Sequence, residues 1–95
     1  MVKVVIKAST KPNKKLMATF TRENGSTKTT HFGAAGMDDF TKTKNEEQKK
    51  RYLDRHRKNE NWNNPESAGA LSRWILWNKT SRQASIADYK RRFNL

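Results

Sequence analysis

Apolar and polar residues alternate from the start of the chain. Val2, Val4, Ile6 and Ala8 fall on one face, with Lys3, Val5 and Lys7 between them, the period-two pattern of a half-buried strand. Residues 9–15, STKPNKK, are predicted to turn, with Pro12 and Asn13 at the centre. A second strand is expected over residues 16–22, with Leu16, Ala18 and Phe20 on one face. Asn24-Gly25 predicts a two-residue type I′ hairpin turn, and the Thr-rich segment 27–32 a third strand. A turn of that length sets Phe20 opposite Thr29, Ala18 opposite His31 and Met17 opposite Phe32.

The period changes after GAAGMDDF, residues 33–40, which is expected to be a connection. Residues 44–60 are helix formers, with acids early and bases late as the helix dipole prefers, over a thin apolar edge of Tyr52, Leu53 and His56. Asn64-Pro65 predicts the start of a central helix, Asn as N-cap and Pro in the first turn. Its stripe of Ala68, Leu71, Trp74 and Ile75 is widened by Ala70 and Trp77, with Leu76 towards the far side and a polar sector at Glu66, Gly69 and Arg73. Ser85 to Asp88 resembles a capping box for a last helix carrying Ile86, Tyr89 and Phe93 inward. The order βββααα predicts an α+β fold: a three-stranded antiparallel β-meander over residues 1–33, then three α-helices within 44–95, in one domain spanning 1–95.

Composition makes each large side chain count. Of 95 residues, 33% are hydrophobic, so the core is small. All three tryptophans lie within residues 59–79. Trp74 and Trp77 are expected in the core, Trp74 together with Ile75, Tyr89 and Phe93. Trp62, amid Asn59, Asn61, Asn63 and Asn64, either packs on the following turn, the favoured role, or is exposed and stacks on bases. There is no cysteine, hence no disulfide and no thiolate metal site. The first ten residues are too short and too alternating for a signal peptide, and no apolar run nears the roughly 20 residues of a membrane span. An intracellular protein with no membrane partner is expected.

Charge is the strongest global signal. Twenty-one Lys and Arg face nine acids, a formal net charge of +12. Such an excess repels itself unless a polyanion neutralises it, and nucleic acid is the usual polyanion. Six bases, Lys49, Lys50, Arg51, Arg55, Arg57 and Lys58, lie within ten residues on a predicted helix. At about 100° per residue, Arg51, Arg55 and Lys58 share one face and Lys50 and Arg57 the adjoining one. Arg82 with Lys90, Arg91 and Arg92 forms a second cluster, and Lys11, Lys14 and Lys15 in the first hairpin loop a third. The bland alternative for such runs is a solvated face.

Signals for chemistry are weak. His31 and His56 lack the paired spacing of zinc ligands, so both are expected to be surface or packing residues. GAAG at 33–36 lacks the spacing and the Lys of a phosphate-binding P-loop. Asp38-Asp39 with Glu46-Glu47 could suggest a two-metal nuclease, but a loop pair and a helix N-terminal pair explain them better. No catalytic residue, metal or cofactor is expected.

HFGAAGMDDFT, RYLDRHRKNENWNNP, AGALSRWILWNK and SIADYKRRFNL resemble, nearly in order, a family of small uncharacterised basic proteins of large nucleocytoplasmic DNA viruses, Marseilleviruses and related algal and amoebal giant viruses. The resemblance covers residues 31–95 well and the first strands more loosely. It implies a virus replicating DNA in a eukaryotic host, and so a protein of the virion, viral factory or host nucleus. It carries no catalytic or ligand residues. The expected function is non-enzymatic binding of double-stranded DNA, architectural or weakly sequence-selective, through the basic helices and loops. RNA is a further candidate partner. The alternative is a virion or interaction protein whose basic surface meets acidic host or viral proteins. The broad apolar face around Trp74 and Trp77 could also serve a homodimer.

Overall fold

The computed structural model describes residues 2–58 and 60–95. Three strands, β1 Lys3–Ala8, β2 Lys14–Thr21 and β3 Thr27–Ala34, form an antiparallel sheet in the order β1-β2-β3. Four helical segments follow: α1 Phe40–Thr43, α2 Glu46–His56, α3 Ala68–Leu71, which continues as a π-helical turn over Ser72–Leu76, and α4 Arg82–Phe93. The α+β order expected from the sequence is therefore present. The short α1 occupies the end of the expected connection and the residues just after it. Asn59, inside the predicted helix 44–60, lies outside the described residues.

The meander is built as the alternation requires, with a different turn. Arg22 N–H donates to Ser26 O at 2.9 Å and Gly25 N–H to Arg22 O at 2.9 Å. Gly25 has a positive φ of 85° and Asn24 does not. The loop is thus Glu23-Asn24-Gly25, a turn closed by a left-handed glycine rather than the two-residue type I′ turn. Asn24 supplies its side chain instead, Oδ1 accepting from Ser26 N–H at 3.0 Å. The extra residue moves the register by one. Phe20 faces Lys28, Ala18 faces Thr30 and Met17 faces His31, while Phe32 comes opposite Leu16. A one-residue slip exchanges the faces of a strand. The expected register would have put Phe32 on the outer face with Met17; the observed one buries it to 1% exposure.

The inner face of the sheet, Val4, Leu16, Ala18, Phe20 and Phe32, forms one apolar cluster with Phe40, Tyr52, Leu71, Ile75, Leu76, Trp77 and Tyr89. Each such large side chain contributes about 1.5–3 kcal/mol on burial. Tyr89 is fully buried and satisfies its hydroxyl by donating to Pro65 O at 2.7 Å. The expected quartet is half realised: Ile75 and Tyr89 are fully buried, whereas Trp74 and Phe93 pack on the edge of the core. Trp77 is the more deeply buried indole, at 8% exposure. The π turn accounts for part of this. Trp77 N–H reaches back to Ser72 O at 3.0 Å, a wider turn than an α-helix makes. It rotates the following residues off the 3.6 period, so Leu76, placed by that period towards the far side, is buried.

Two helix starts differ from expectation because nearer serines take the cap. Ser67 Oγ accepts from Ala70 N–H at 3.1 Å, while Asn64 closes a preceding turn, with Oδ1 accepting from Glu66 N–H at 3.1 Å. Ser81 Oγ accepts from Ala84 N–H at 3.2 Å, so Ser85 lies inside α4, buried, its Oγ accepting from Lys79 N–H at 3.0 Å.

Asp39 ties the sheet to the helices. It is 1% exposed and caps α1, Oδ1 accepting from Thr41 N–H at 3.0 Å and from the Thr41 hydroxyl. Its Oδ2 accepts from the Lys15 ammonium of β2 at 2.6 Å and lies 3.9 Å from the Arg82 guanidinium of α4. Burial would raise the carboxyl's pKa, but these hydrogen bonds and the two positive charges hold it below its ordinary value.

Both the glycine geometry and the buried carboxylate have measurable consequences. A Cβ built on Gly33 would lie 2.7 Å from Leu76 Cδ1 at a φ of 79°, whereas one on Gly36, at φ 82°, would meet open space. Gly33→Ala should therefore destabilise by clearly more than Gly36→Ala, which costs only the left-handed strain of about 1–2 kcal/mol, as urea denaturation will measure. Asp39 should make stability acid-sensitive. With its folded pKa below the unfolded value, its contribution is present at neutral pH and is lost as pH falls below about 4. Asp39→Asn keeps a competent cap but loses the charge. Its melting temperature should be lower than wild type at pH 7, and the gap should close towards pH 2 in thermal denaturation followed by circular dichroism.

Candidate nucleic-acid interface

Helix α2 is amphipathic in charge more than in hydropathy. Asn45 caps it, Oδ1 accepting from Gln48 N–H at 3.1 Å, and Glu46 and Glu47 occupy the first turn. Its anchoring edge is Tyr52, stacked between Trp77, with centroids 4.3 Å apart, and His56, at 4.2 Å. Lys50, Arg51, Arg55, Arg57 and Lys58 are left exposed. Arg51 lies 4.0 Å from Glu47, and Arg57, the C-cap residue just past the end of α2 and not inside a helix running to residue 60, lies 3.9 Å from Asp54. Exposed pairs of this kind are worth about 0.2–1 kcal/mol and leave both guanidiniums free to exchange partners. Lys49 is different. Its ammonium donates to Asn78 O at 2.8 Å and lies 4.8 Å from the centre of the Phe40 ring, so it serves the fold.

Tertiary structure joins α2 to the C-terminal end of α4. Asn78, which receives Lys49 on its carbonyl, donates its side-chain amide to Asp88 Oδ2 at 2.7 Å. Asp88 in turn faces Arg91 at 3.2 Å and Arg92 at 3.4 Å. The Asn78 hydrogen bond, with Arg91 and Arg92, lowers the pKa of Asp88 against the opposing effect of burial. Arg73 of the π turn is at the centre. Its guanidinium carbon is 4.1 Å from the Trp74 ring and 5.5 Å from the Trp62 ring, and Arg92 covers Trp74 at 3.8 Å. Burial lowers the pKa of Arg73, and the positive charges of Arg92 and Arg57 lower it further. Burial likewise lowers that of Lys49, with Arg73 and Lys79 adding to it. Arg73 therefore lies within the fields of Lys49, Arg57 and Arg92, and Lys49 within that of Lys79, although these residues come from three separate parts of the chain. Arg73 and Lys79 are absent from the clusters that the sequence pattern picks out. The signal for Arg73 was present, a lone cation in the polar sector of an apolar helix, but its neighbours were not legible.

The tryptophans join this network. Trp62 is half-buried, donating its indole N–H to Glu60 Oε2 at 3.0 Å, while Glu60 Oε1 lies 3.1 Å from His56 Nδ1. Trp74 donates to Trp62 O at 3.0 Å. Trp62 thus staples its loop to α2 and the π turn, with Arg73 near its ring. Trp74, at the edge of the core, carries the Arg73 and Arg92 guanidiniums against its ring.

The remaining basic residues separate into other places. Lys15 is paired with Asp39, where Arg82 also points, so the structure joins Arg82 to the first-hairpin cluster. Arg82 stands at the opposite end of α4 from Lys90, Arg91 and Arg92, about 15 Å away along the helix. Lys14 and Arg55 line a groove of about 360 Å³ between the strand ends and α2, with His56, Glu60 and the Tyr52–Trp77 stack. Lys11 is exposed in the β1–β2 loop. His31 lies 2.7 Å from Ser9 Oγ. Among the described residues no group of three His, Cys, Asp or Glu could hold a metal ion, and no helix is long and apolar enough to cross a membrane.

Searches for similar proteins return no curated relative and no solved structure. A family model, DUF5754, a family of unknown function, matches residues 4–56, the meander from the second residue of β1 onward, α1 and α2. The match spans more than half of the chain, and the protein therefore belongs to the DUF5754 family.

Proposed function

We propose that this protein is a non-enzymatic DNA-binding protein that holds the phosphate backbone of the duplex at the junction of α2, the π turn and α4. The observation carrying this reading is the meeting of Arg73 and Arg92 on the Trp74 ring, at 4.1 and 3.8 Å, with Arg91 beside Arg92 on Asp88 and Arg57 close enough to lower the pKa of Arg73. Like charges gathered from distant parts of a chain oppose folding, and a polyanion turns that cost into affinity. Lys50, Arg51 and Arg55 extend the positive surface along α2 and Lys58 just past its end, and Lys14 at the start of β2 lines one groove with Arg55. Contacts of this sort read backbone shape more than bases, so binding is architectural or weakly sequence-selective. Arg73, its Nη1 donating to Trp77 O at 3.0 Å and its guanidinium against the Trp74 and Trp62 rings, is a fixed positive charge at the centre, and Trp62 supports it.

The resemblance to basic proteins of large nucleocytoplasmic DNA viruses supplies the setting: double-stranded DNA in the virion, viral factory or host nucleus. An acidic protein of virus or host is the second reading.

Backbone binding releases counterions, so log K falls with log salt at a slope of about −0.9 per phosphate neutralised. Replacing Lys50, Arg57 and Arg91 together by Gln should weaken binding to every duplex alike. It should also flatten the slope by about two to three units, roughly 0.9 for each phosphate no longer neutralised. Replacing Lys3 and Lys7, exposed on β1, by Gln should change the slope little. Fluorescence anisotropy with duplex DNA, duplex RNA and an acidic peptide over a salt series measures this. Equal effects per charge from the two variants would reduce the interface to non-specific attraction. Tight peptide binding with no salt-dependent affinity for DNA would favour the second reading.

A further inference from the structure

A second concave basic site lies away from the α2–α4 junction. A cleft of about 660 Å³ opens between β2, the β3–α1 connection, α1 and the start of α4, and Lys15, Lys42, Lys44 and Arg82 all line it, with the hydroxyls of Thr80 and Ser81. Its one acidic lining residue, Asp39, is buried and already occupied by the Lys15 ammonium and by Thr41. Arg82 lies 3.9 Å from Asp39 and Lys42 lies 3.7 Å from Asp38, both beyond hydrogen-bond length, so their donors remain available. Lys44 has no carboxylate within 4.0 Å among the described residues. Its backbone is fixed all the same: a left-handed φ of 56° and an N–H bonded to Phe40 O at 2.9 Å hold it as the C-cap of α1. Lys15 and Asp39 neutralise one another at the floor, leaving three cations and the Thr80 and Ser81 hydroxyls around a hollow that Gly36 and Met37 also line.

We propose that this cleft binds a single phosphate group. The donors are those that phosphate oxygens take: a forked guanidinium, two ammoniums and hydroxyls. They surround a concavity instead of following a helix, so they favour one compact anion over an extended backbone track. The phosphate could come from a nucleic-acid strand or from a free nucleotide or phosphate ion. In the first case the site rests on the DNA-binding reading and adds a second anchor to it; in the second it stands alone.

Amide NMR of the full chain tests this. Inorganic phosphate, added at constant ionic strength against chloride, should give saturable shifts at residues 41–44 and 80–82. The double variant Lys44→Asn, Arg82→Gln should weaken that binding at least tenfold while keeping the far-ultraviolet spectrum of wild type. Asn tolerates the left-handed position, and Lys44→Asn alone, which removes no side-chain partner within the fold, serves should the double variant unfold. Duplexes with and without 5′-phosphates separate the sources. Cleft shifts from both duplexes indicate backbone phosphate, shifts only from the phosphorylated one indicate a terminal phosphate, and shifts from inorganic phosphate alone indicate a free ligand. Phosphate shifts spread evenly over the basic residues, or a variant that binds phosphate like wild type, would overturn the site. If duplex affinity persists in that case, the DNA-binding reading survives; cleft shifts from phosphate without any duplex affinity sink that reading and leave the cleft standing.

Discussion

The fold depends on closing a small apolar cluster under a large excess of positive charge. Phe20 and Phe32 on the sheet meet Leu71, Ile75, Leu76 and Tyr89 from the helices, and these side chains are enclosed almost completely. With a formal net charge of +12, every cation that cannot reach a carboxylate raises the free energy of the compact state. The arrangement of charges is therefore as much a condition of folding as the burial itself. The core succeeds because the large apolar groups of sheet and helices are gathered in one place, helped by the wide π turn that brings Leu76 and Trp77 inward together.

Two carboxylates organise the cations. Asp39, near the floor of the cleft between β2, α1 and α4, collects Lys15 and Arg82 from β2 and α4. Asp88, towards the other end of α4, collects Arg91 and Arg92 and, through Asn78, holds the segment that receives Lys49. Both are buried and hydrogen-bonded, so each neutralises charge locally while presenting little negative surface to a ligand. Glu66 has a comparable part at the sheet, pairing with Arg22 at 2.7 Å and accepting the Thr30 hydroxyl on its backbone carbonyl. The effect is to direct these acids inward and leave the uncompensated bases outside, which suits a polyanionic partner.

The aromatic residues act to the same end. Tyr52 between His56 and Trp77 roots α2 in the core, and the alternation of Trp62, Arg73, Trp74 and Arg92 stabilises guanidiniums by cation–π contact where carboxylates are scarce. This explains why so basic a chain concentrates its indoles: one fills the core, one straddles its edge between two arginines, and one pins the loop that leads to them.

Element order, the inner face of β2 and the thin anchoring edge of α2 were legible in the chain, because they follow from local periodicity and propensity. So was the abundance of exposed bases. The turn after β2 and the deeper burial of Trp77 relative to Trp74 were not, because long-range packing selects them, and the caps at Ser67 and Ser81 were missed because other local cap signals compete with these serines. The register and the π turn observed are the ones that bury Phe32, Leu76 and Tyr89 together. The grouping of Arg73 with Arg57 and Arg92, and of Arg82 with Lys15, was likewise invisible in the chain. Coulomb energy depends on distance through space, and residues far apart in sequence acquire that distance only when the sheet and helices close on one another.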